Sequence, residues 1–417
     1  MKPVPACRFC ATPLTATFCD LGETPLANSY LDASEIAGER RFALVVRICP
    51  SCLLVQADDS VPPDAIFGDY AYFSSYSASW VEHARDYAGT MIGRFALGPH
   101  SLVVEIASND GYLLQHFQAA GVPVLGVEPA ANVAQAARAR SIETEVAFFG
   151  VKTAKSLVAG GRMADQMVAN NVLAHVPDIK DFLGGFAVLL KREGVATFEF
   201  PHILNLVRQV QFDTIYHEHF SYLSLFAVEQ VLASVQLKVF DIEQLPTHGG
   251  SLRLYVAHSA SSHQPTPQVA AMRTIEHSAR LDRLEGYSGF AAKVGAVKAG
   301  FKTFLKQAKA GGKTIAGYGA AAKGNTFLNV CGTNAAGMVC VFDRSLAKQG
   351  KLLPGSHIPV LAPERLAEIK PDYLVILPWN LAREVMEQNP LLASWGGRFV
   401  TAVPEIRILS GGVAGAI

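Results

Sequence analysis

At 417 residues, the chain is long enough for two to three domains of about 150 residues each, with cores that bury roughly 75% of the unfolded surface. Its 36 Lys+Arg balance 36 Asp+Glu, and only 17% of the residues are charged, so nothing in the charge recommends nucleic acid or an anionic membrane as partner. The apolar runs, such as residues 101–106, stop well short of the 18 needed for a membrane-spanning helix. The N-terminal MKPVPACRFC lacks the apolar stretch of a signal peptide. A soluble, cytoplasmic protein is expected, its seven cysteines being thiols or metal ligands rather than disulfides.

Five of those cysteines fall in the first 52 residues, and four form Cys7-x-x-Cys10 and Cys49-x-x-Cys52. A two-residue gap lets neighbouring thiolates converge on one Zn²⁺, and two such pairs make a closed tetrahedral site with no position left for water. The expected role of the metal is therefore structural. Cys19 stands outside both pairs and reads as a small buried hydrophobe, within a hairpin-like stretch spanning the gap.

After the aromatic stretch DYAYFSSYSASW at 69–80, helical periodicity runs through Trp80, Ala84, Tyr87, Ala88, Met91 and Phe95. Strand and helix then alternate. A strand at 101–106 leads through Glu105-Ile-Ala107-Ser-Asn109-Asp-Gly111 into a helix at 112–120, and a second strand at 122–127 ends in Glu128. The carboxylate 23 residues after Glu105 suits a first βαβ unit in which a small-residue loop approaches a ligand and an acid grips a ribose diol. The loop lacks the full GxGxxG, which weakens a dinucleotide reading; its form with Glu128 resembles the first two motifs of class I S-adenosylmethionine (SAM) methyltransferases. Further strands are expected at 142–148, 165–169 (followed by Asn170-Asn171-Val-Leu-Ala-His175) and 194–200, with an antiparallel pair at 239–244 and 251–257.

Residues 213–220, Asp-Thr-Ile-Tyr216-His217-Glu218-His219-Phe220, put four protonatable groups in a row. Tyr216, Glu218 and His219 offer a donor for an enolate oxygen, an orienting carboxylate and a base titrating near neutrality, the set required to remove a proton next to a ketone. The single residue between the histidines excludes an HExxH or HxxEH zinc site. Residues 263–310 read as helical and lead into Gly317-Tyr-Gly319-Ala-Ala-Ala322, with Asp343 after the next strand, 338–342. Taken alone this signature suggests NAD; its glycines would serve a nucleoside-diphosphate sugar equally, with Lys323 adding charge for the phosphates. Segments 373–377, 379–386 and 398–403 complete a small Rossmann-like sheet.

Cys7/Cys10/Cys49/Cys52, YAYFSSYS (70–77), EIASNDG (105–111), NNVLAHVPD (170–178), YHEHFSYLS (216–224), HGGSLR (248–253), GYGAAAKGNTFLN (317–329) and LPGSHIPV (353–360) together resemble the nucleotide-sugar C-methyltransferases that act at C-3 of a 4-keto-deoxysugar. The resemblance runs almost end to end. It implies a class I SAM methyltransferase Rossmann-like α/β core (69–262) between a small zinc-binding domain (1–68) and a C-terminal Rossmann-like α/β domain (263–417) that helps to hold the nucleotide sugar. It also implies His219 as general acid/base with Tyr216 and Glu218 beside it and His175 near the reacting carbons. Tyr70, Glu105, Ala107, Asn109, Gly111, Glu128, Asn170 and Asn171 are then expected at the cofactor, and Tyr72, His202, Arg253, Gly319 and Lys323 at the substrate. SAM and a structural zinc are the implied cofactors. The implied partner is a dTDP-, CDP- or GDP-linked 4-keto-deoxysugar, with no nucleic acid or membrane and a monomeric state. Two other functions compete: an NAD-dependent nucleotide-sugar dehydrogenase using the Gly317 loop, and a zinc-containing adaptor that senses ligands.

Overall fold

A computed structural model describes residues 4–59, 61, 74–76 and 78–409, which divide between two compact units. The first unit takes the chain from 1–15, 48–202 and 220–286; the second takes it from 16–47, 203–219 and 287–417. The chain therefore leaves the first unit twice before its C-terminal third begins. Among the described residues no helix is long and apolar enough to cross a membrane.

The first unit is built on a seven-stranded sheet in the order Leu237–Leu245, Ser251–His258, Leu190–Pro201, Ala164–Asn170, Val103–Ile106, Val124–Val127, Thr144–Glu145. The last five are mutually parallel, and Ser251–His258 runs antiparallel to Leu190–Pro201. This is the class I methyltransferase arrangement of five parallel units closed by a hairpin. Because successive strand side chains alternate in direction, the sheet feeds two apolar clusters. Val104, Ile106, Met167, Ala169 and Phe198 pack with residues of the helices Ile179–Leu189, Leu225–Ser234 and Pro267–Ser278. Val103, Val168, Val195 and Tyr255 pack with Ala84, Tyr87 and Met91 of the helix Ala78–Phe95 and Phe117 of Leu114–Ala119. With both faces covered, the central strands read as near-continuous apolar runs. The strand expected at 142–148 shrinks to Thr144–Glu145 at the sheet edge, where Val146 and Phe148 are exposed.

The second unit carries a six-stranded sheet in the order Val360–Leu361, Val341–Phe342, Ile315–Tyr318, Tyr373–Ile376, Arg398–Thr401, Arg407–Leu409, parallel except for the last strand. Numbered along the chain this is the 3-2-1-4-5-6 order of a doubly wound dinucleotide fold. The strands Ala16–Thr24 and Phe42–Ile48 are neighbours in a separate sheet, so the hairpin-like stretch is one strand whose partner comes 18 residues later. Phe18 stacks on Phe290 at 4.4 Å between ring centroids, which ties this excursion to the helix Phe290–Ala310. The helical region expected over 263–310 is two helices, Pro267–Ser278 and Phe290–Ala310, and each belongs to a different unit. The break follows from Arg280 and Gly289, both with positive φ (59° and 78°) that no helix continues through.

Candidate active site and zinc cluster

The four cysteines of the two CxxC pairs come together in the first unit, with all four sulfurs within 4.8 Å of one another. Sulfur–sulfur distances are 3.4 Å for Cys10–Cys49 and 3.6 Å for both Cys7–Cys52 and Cys10–Cys52. Tetrahedral Zn–S bonds of about 2.3 Å require sulfurs about 3.8 Å apart, so the thiolates fit one zinc. The two turns match: Ala11 N–H donates to Cys7 O and Leu53 N–H to Cys49 O, and Ala11 and Leu53 both sit at left-handed φ, 59° and 57°. Such conformations cost a non-glycine residue of order 1 kcal/mol and persist where the surroundings over-determine them. Gln56 Nε2 donates to Cys7 Sγ and Cys52 N–H to Cys49 Sγ. Cys19 lies in the other unit, where burial pushes its thiol up to about 12.

The loop after Val103–Ile106 lies at the carboxyl ends of parallel strands, where the sheet order reverses and open α/β sheets take their ligands. It holds Ala107 and Asn109 at φ 54° and 50°, the conformation for which glycine is the usual choice. Glu128 explains how. One carboxylate oxygen accepts from Asn109 N–H and the other from Ala130 N–H, both at 2.9 Å. Gly126 is required by the same packing, since a Cβ there would strike Ser108 Oγ. Ser74 N–H donates to Asn109 Oδ1 at 2.8 Å, and Arg140 pairs with Asp110 at 3.2 Å.

Glu105 is 1% exposed; burial, and then the neighbouring Glu128 and Asp110 charges, push its carboxyl well above the usual range. Burial also raises Glu128, against the two N–H donors. Glu105 Oε2, Ser108 Oγ, Asp110 Oδ1 and both amide atoms of Asn170 are buried with no hydrogen-bond partner among the described residues. Natural folds rarely leave such atoms unpaired, and this concentration suits a polar ligand with amino, carboxylate and hydroxyl groups such as SAM. Asn171, at φ 60°, lies with its amide nitrogen 2.7 Å from His248 Nε2, and His175 ends the 3-10 turn Leu173–His175. Tyr70 and Tyr72 lie outside the described residues.

His202 and Arg253, expected at the substrate, are engaged inside the first unit. His202 Nε2 is 2.7 Å from Glu276 Oε1, and both side chains are almost fully buried; Glu276 also accepts from Leu225 and Phe226 N–H, capping that helix. Arg253 pairs with Glu199 and Glu243 at 2.8 Å, and Glu199 further accepts from Thr247 and contacts His83 at 2.9 Å. Despite burial, His83 and Arg253 hold the Glu199 carboxyl below the usual range. Nothing in the sequence pattern marked His83, Glu199 or Glu276.

The segment 213–219 belongs to the second unit. There Asp213 and Thr214 lie in the 3-10 turn Phe212–Thr214. Thr214 O accepts from His219 Nδ1 at 2.7 Å, and the Tyr216 and His219 rings lie 4.0 Å apart. A carbonyl can only accept, so Nδ1 carries the hydrogen and the neutral ring keeps its basic lone pair on Nε2. Glu218 accepts from Asn28 Nδ2 at 2.6 Å, and burial pushes its carboxyl up to about 7. His217 faces elsewhere, onto Phe42 and Ala43 O.

The glycine loop of this unit is satisfied internally. Ala320 N–H donates to Asp343 at 2.7 Å, and Ala320 O accepts from Tyr30 OH and from Lys348 Nζ. Gly319, at φ 87°, packs where a Cβ would meet the Pro378 ring. Lys323 is half-buried, donates to Asn380 Oδ1 at 2.7 Å and lies 5.0 Å over the Trp379 ring.

Three family models match the chain in succession: a zinc binding domain at residues 7–67, a methyltransferase domain at 80–242 and a C-methyltransferase C-terminal domain at 246–404. C-methyltransferase NovU of Streptomyces niveus is 36% identical over 411 residues, covering 98% of both chains. A ubiquinone biosynthesis O-methyltransferase of Methylobacterium sp. (strain 4-46) is 33% identical over 106 residues, 24% of this chain and 43% of that protein. Magnesium protoporphyrin IX methyltransferase from Synechocystis PCC 6803 matches 47% of this chain and 92% of its own at 15% identity and TM-score 0.35. With an end-to-end relative and all three models in order along it, the chain belongs to the SAM-dependent C-methyltransferases.

Proposed function

We propose that the enzyme methylates C-3 of a nucleotide-linked 4-keto-deoxysugar by way of an enolate. The observation that carries this reading is the His219 ring, held through Nδ1–H on the Thr214 carbonyl, with the Tyr216 ring against it. A hydrogen next to a ketone is removed at useful rates only when a positioned base and a donor to the developing enolate oxygen act together. His219 Nε2 takes the C-3 proton, and Tyr216 donates to the oxygen. Glu218, held by Asn28 and with its carboxyl pushed up to about 7 by burial, is assigned to the same acid/base segment. SAM, when bound, supplies an electrophilic methyl group on its sulfonium. The Glu105–Gly111 loop, Glu128 and Asn170 would hold it, with Glu128 accepting from the ribose hydroxyls through its remaining lone pairs. The functional division proposed is 1–68, 69–262 and 263–417, supported by the three matched stretches, although the compact units cut across it. The dehydrogenase reading loses support because the Gly317 loop spends the polar groups of Ala320 on Asp343, Tyr30 and Lys348.

Incubating the enzyme with SAM and dTDP-, CDP- and GDP-linked 4-keto-deoxysugars tests the assignment. A product heavier by one methylene, with the new methyl at C-3 by NMR, is expected from at least one; methylation at another carbon, or none across the panel, refutes it. Glu128→Ala should weaken SAM about tenfold or more, since charged hydrogen bonds of about 1.5–3 kcal/mol are lost. Calorimetry showing unchanged affinity would place the ribose elsewhere.

A further inference from the structure

Asp213 is fully buried, and the rest of the acid/base segment follows it within six residues. Burying a carboxylate costs several kcal/mol unless it is paired, and apolar residues of similar volume often serve stability as well as a buried ion pair does. Its surroundings come from distant parts of the second unit. Trp379 Nε1–H donates to Asp213 Oδ2 at 2.7 Å. Lys323, from the helix Ala322–Cys331, is near enough for each charge to favour the other, although burial pushes the carboxyl up to about 6 and the ammonium down. Asp213 also lines a small cavity with Trp379, Phe327, Leu377 and Val403. The turn is fixed on either side of it. Phe212 is fully buried against Phe327, 5.9 Å between ring centroids, and Thr214 Oγ1 donates to Gln211 O at 2.7 Å. The next carbonyl after Asp213 is Thr214 O, the acceptor that decides which nitrogen of His219 carries the hydrogen.

We propose that Trp379 and Asp213 are positioning residues for His219: by anchoring the turn Phe212–Thr214 they aim the Thr214 carbonyl at Nδ1, which holds the ring in the tautomer whose Nε2 can accept a proton. This rests on His219 being the proton-transferring group. It also gives Lys323 a task other than phosphate binding, as the half-buried cation that, with Asn380, fixes the Trp379–Asp213 pair.

The test reads the tautomer directly, in the whole protein without substrate. With ¹⁵N-labelled histidine, the His219 resonances, assigned by their loss in His219→Gln, are expected to show a protonated Nδ1 and an unprotonated Nε2 in the unaltered protein. Trp379→Phe keeps the ring and loses the donor; it should mix the two tautomers. Asp213→Ala should do the same, whereas Asp213→Asn keeps an acceptor for Trp379 and should retain the Nδ1–H form. On a dTDP-linked 4-keto-deoxysugar, Trp379→Phe and Asp213→Ala should lower kcat about 10- to 100-fold, as misaligned groups do, with KM changed less than about threefold and Asp213→Asn within about threefold of normal. An Nε2–H tautomer in the unaltered protein overturns the proposal. So does an Nδ1–H signature that persists in either Trp379→Phe or Asp213→Ala when circular dichroism shows that variant folded. If no sugar of the dTDP-, CDP- and GDP-linked panel is turned over by any form, the reading of the reaction fails on its own, while the spectra still decide the positioning.

Discussion

His219→Gln should lower kcat by about 10²–10⁴ while leaving SAM affinity unchanged. That range is what a lost general base costs, about 2.7–5.5 kcal/mol of barrier. Gln is the informative replacement because its amide N–H can still donate to the Thr214 carbonyl that now receives His219 Nδ1–H, so the turn keeps its partner while the basic nitrogen is lost. The cofactor contacts proposed at Glu105, Glu128 and Asn170 belong to the other unit, which is why binding and turnover should separate. Proton abstraction can be read without methyl transfer by following solvent deuterium exchange at C-3 with S-adenosylhomocysteine bound. Exchange by His219→Gln as fast as by the unaltered enzyme would reject His219 as the base and pass the role to His175 or to a tyrosine. Tyr216→Phe should cost less, about 10–10³-fold, the worth of one oxyanion donor.

Cys49→Ser should strip the zinc and lower Tm by about 10 °C or more. Structural zinc contributes its binding free energy to folding, of order 10 kcal/mol in small zinc modules, and a few kcal/mol moves Tm of a larger domain by about this much. Cys49 is fully buried, and its backbone closes the turn through Leu53 N–H and Leu54 O. The seryl oxygen would be a poor zinc ligand in a pocket shaped for sulfur. Cys19→Ser is the control: it perturbs a buried thiol in the other unit, so stability falls while the metal content stays at one per chain. Zinc at one per chain in Cys49→Ser, or none in the unaltered protein purified without chelator, would contradict the four-thiolate site.

Much of the architecture was legible because its signals are local. The CxxC spacing places pairs of sulfurs on one turn wherever the rest of the chain goes, and the alternation of short apolar runs with helical periodicity anticipated both parallel sheets. The Glu105–Gly111 loop was harder. Its lack of the full GxGxxG weakened only the dinucleotide reading and did not announce the backbone conformation: Ala107 and Asn109 adopt the left-handed region because the Val127 carbonyl and Glu128 hold their N–H groups. Side-chain identity records a preference, and a neighbouring strand can outweigh it.

Which elements fold together was decided only in three dimensions. By position in the chain, Tyr216–His219 falls with the methyltransferase sheet and residues 16–47 fall with the zinc cysteines, but both excursions pack into the second unit. There Phe18 meets Phe290, Asn28 meets Glu218, and Trp379 meets Asp213 across 166 residues of sequence. The C-terminal glycine loop likewise carries a dinucleotide signature that its own neighbours Tyr30, Asp343 and Lys348 absorb. Residue spacing along the chain determined the thiolate pairs, the strand–helix alternation and the composition of the acid/base segment, since each depends on a few consecutive residues. The tautomer of His219, the partners of Glu218 and Asp213, and the fate of the glycine loop depend on side chains brought together from far apart, and only tertiary packing sets those distances.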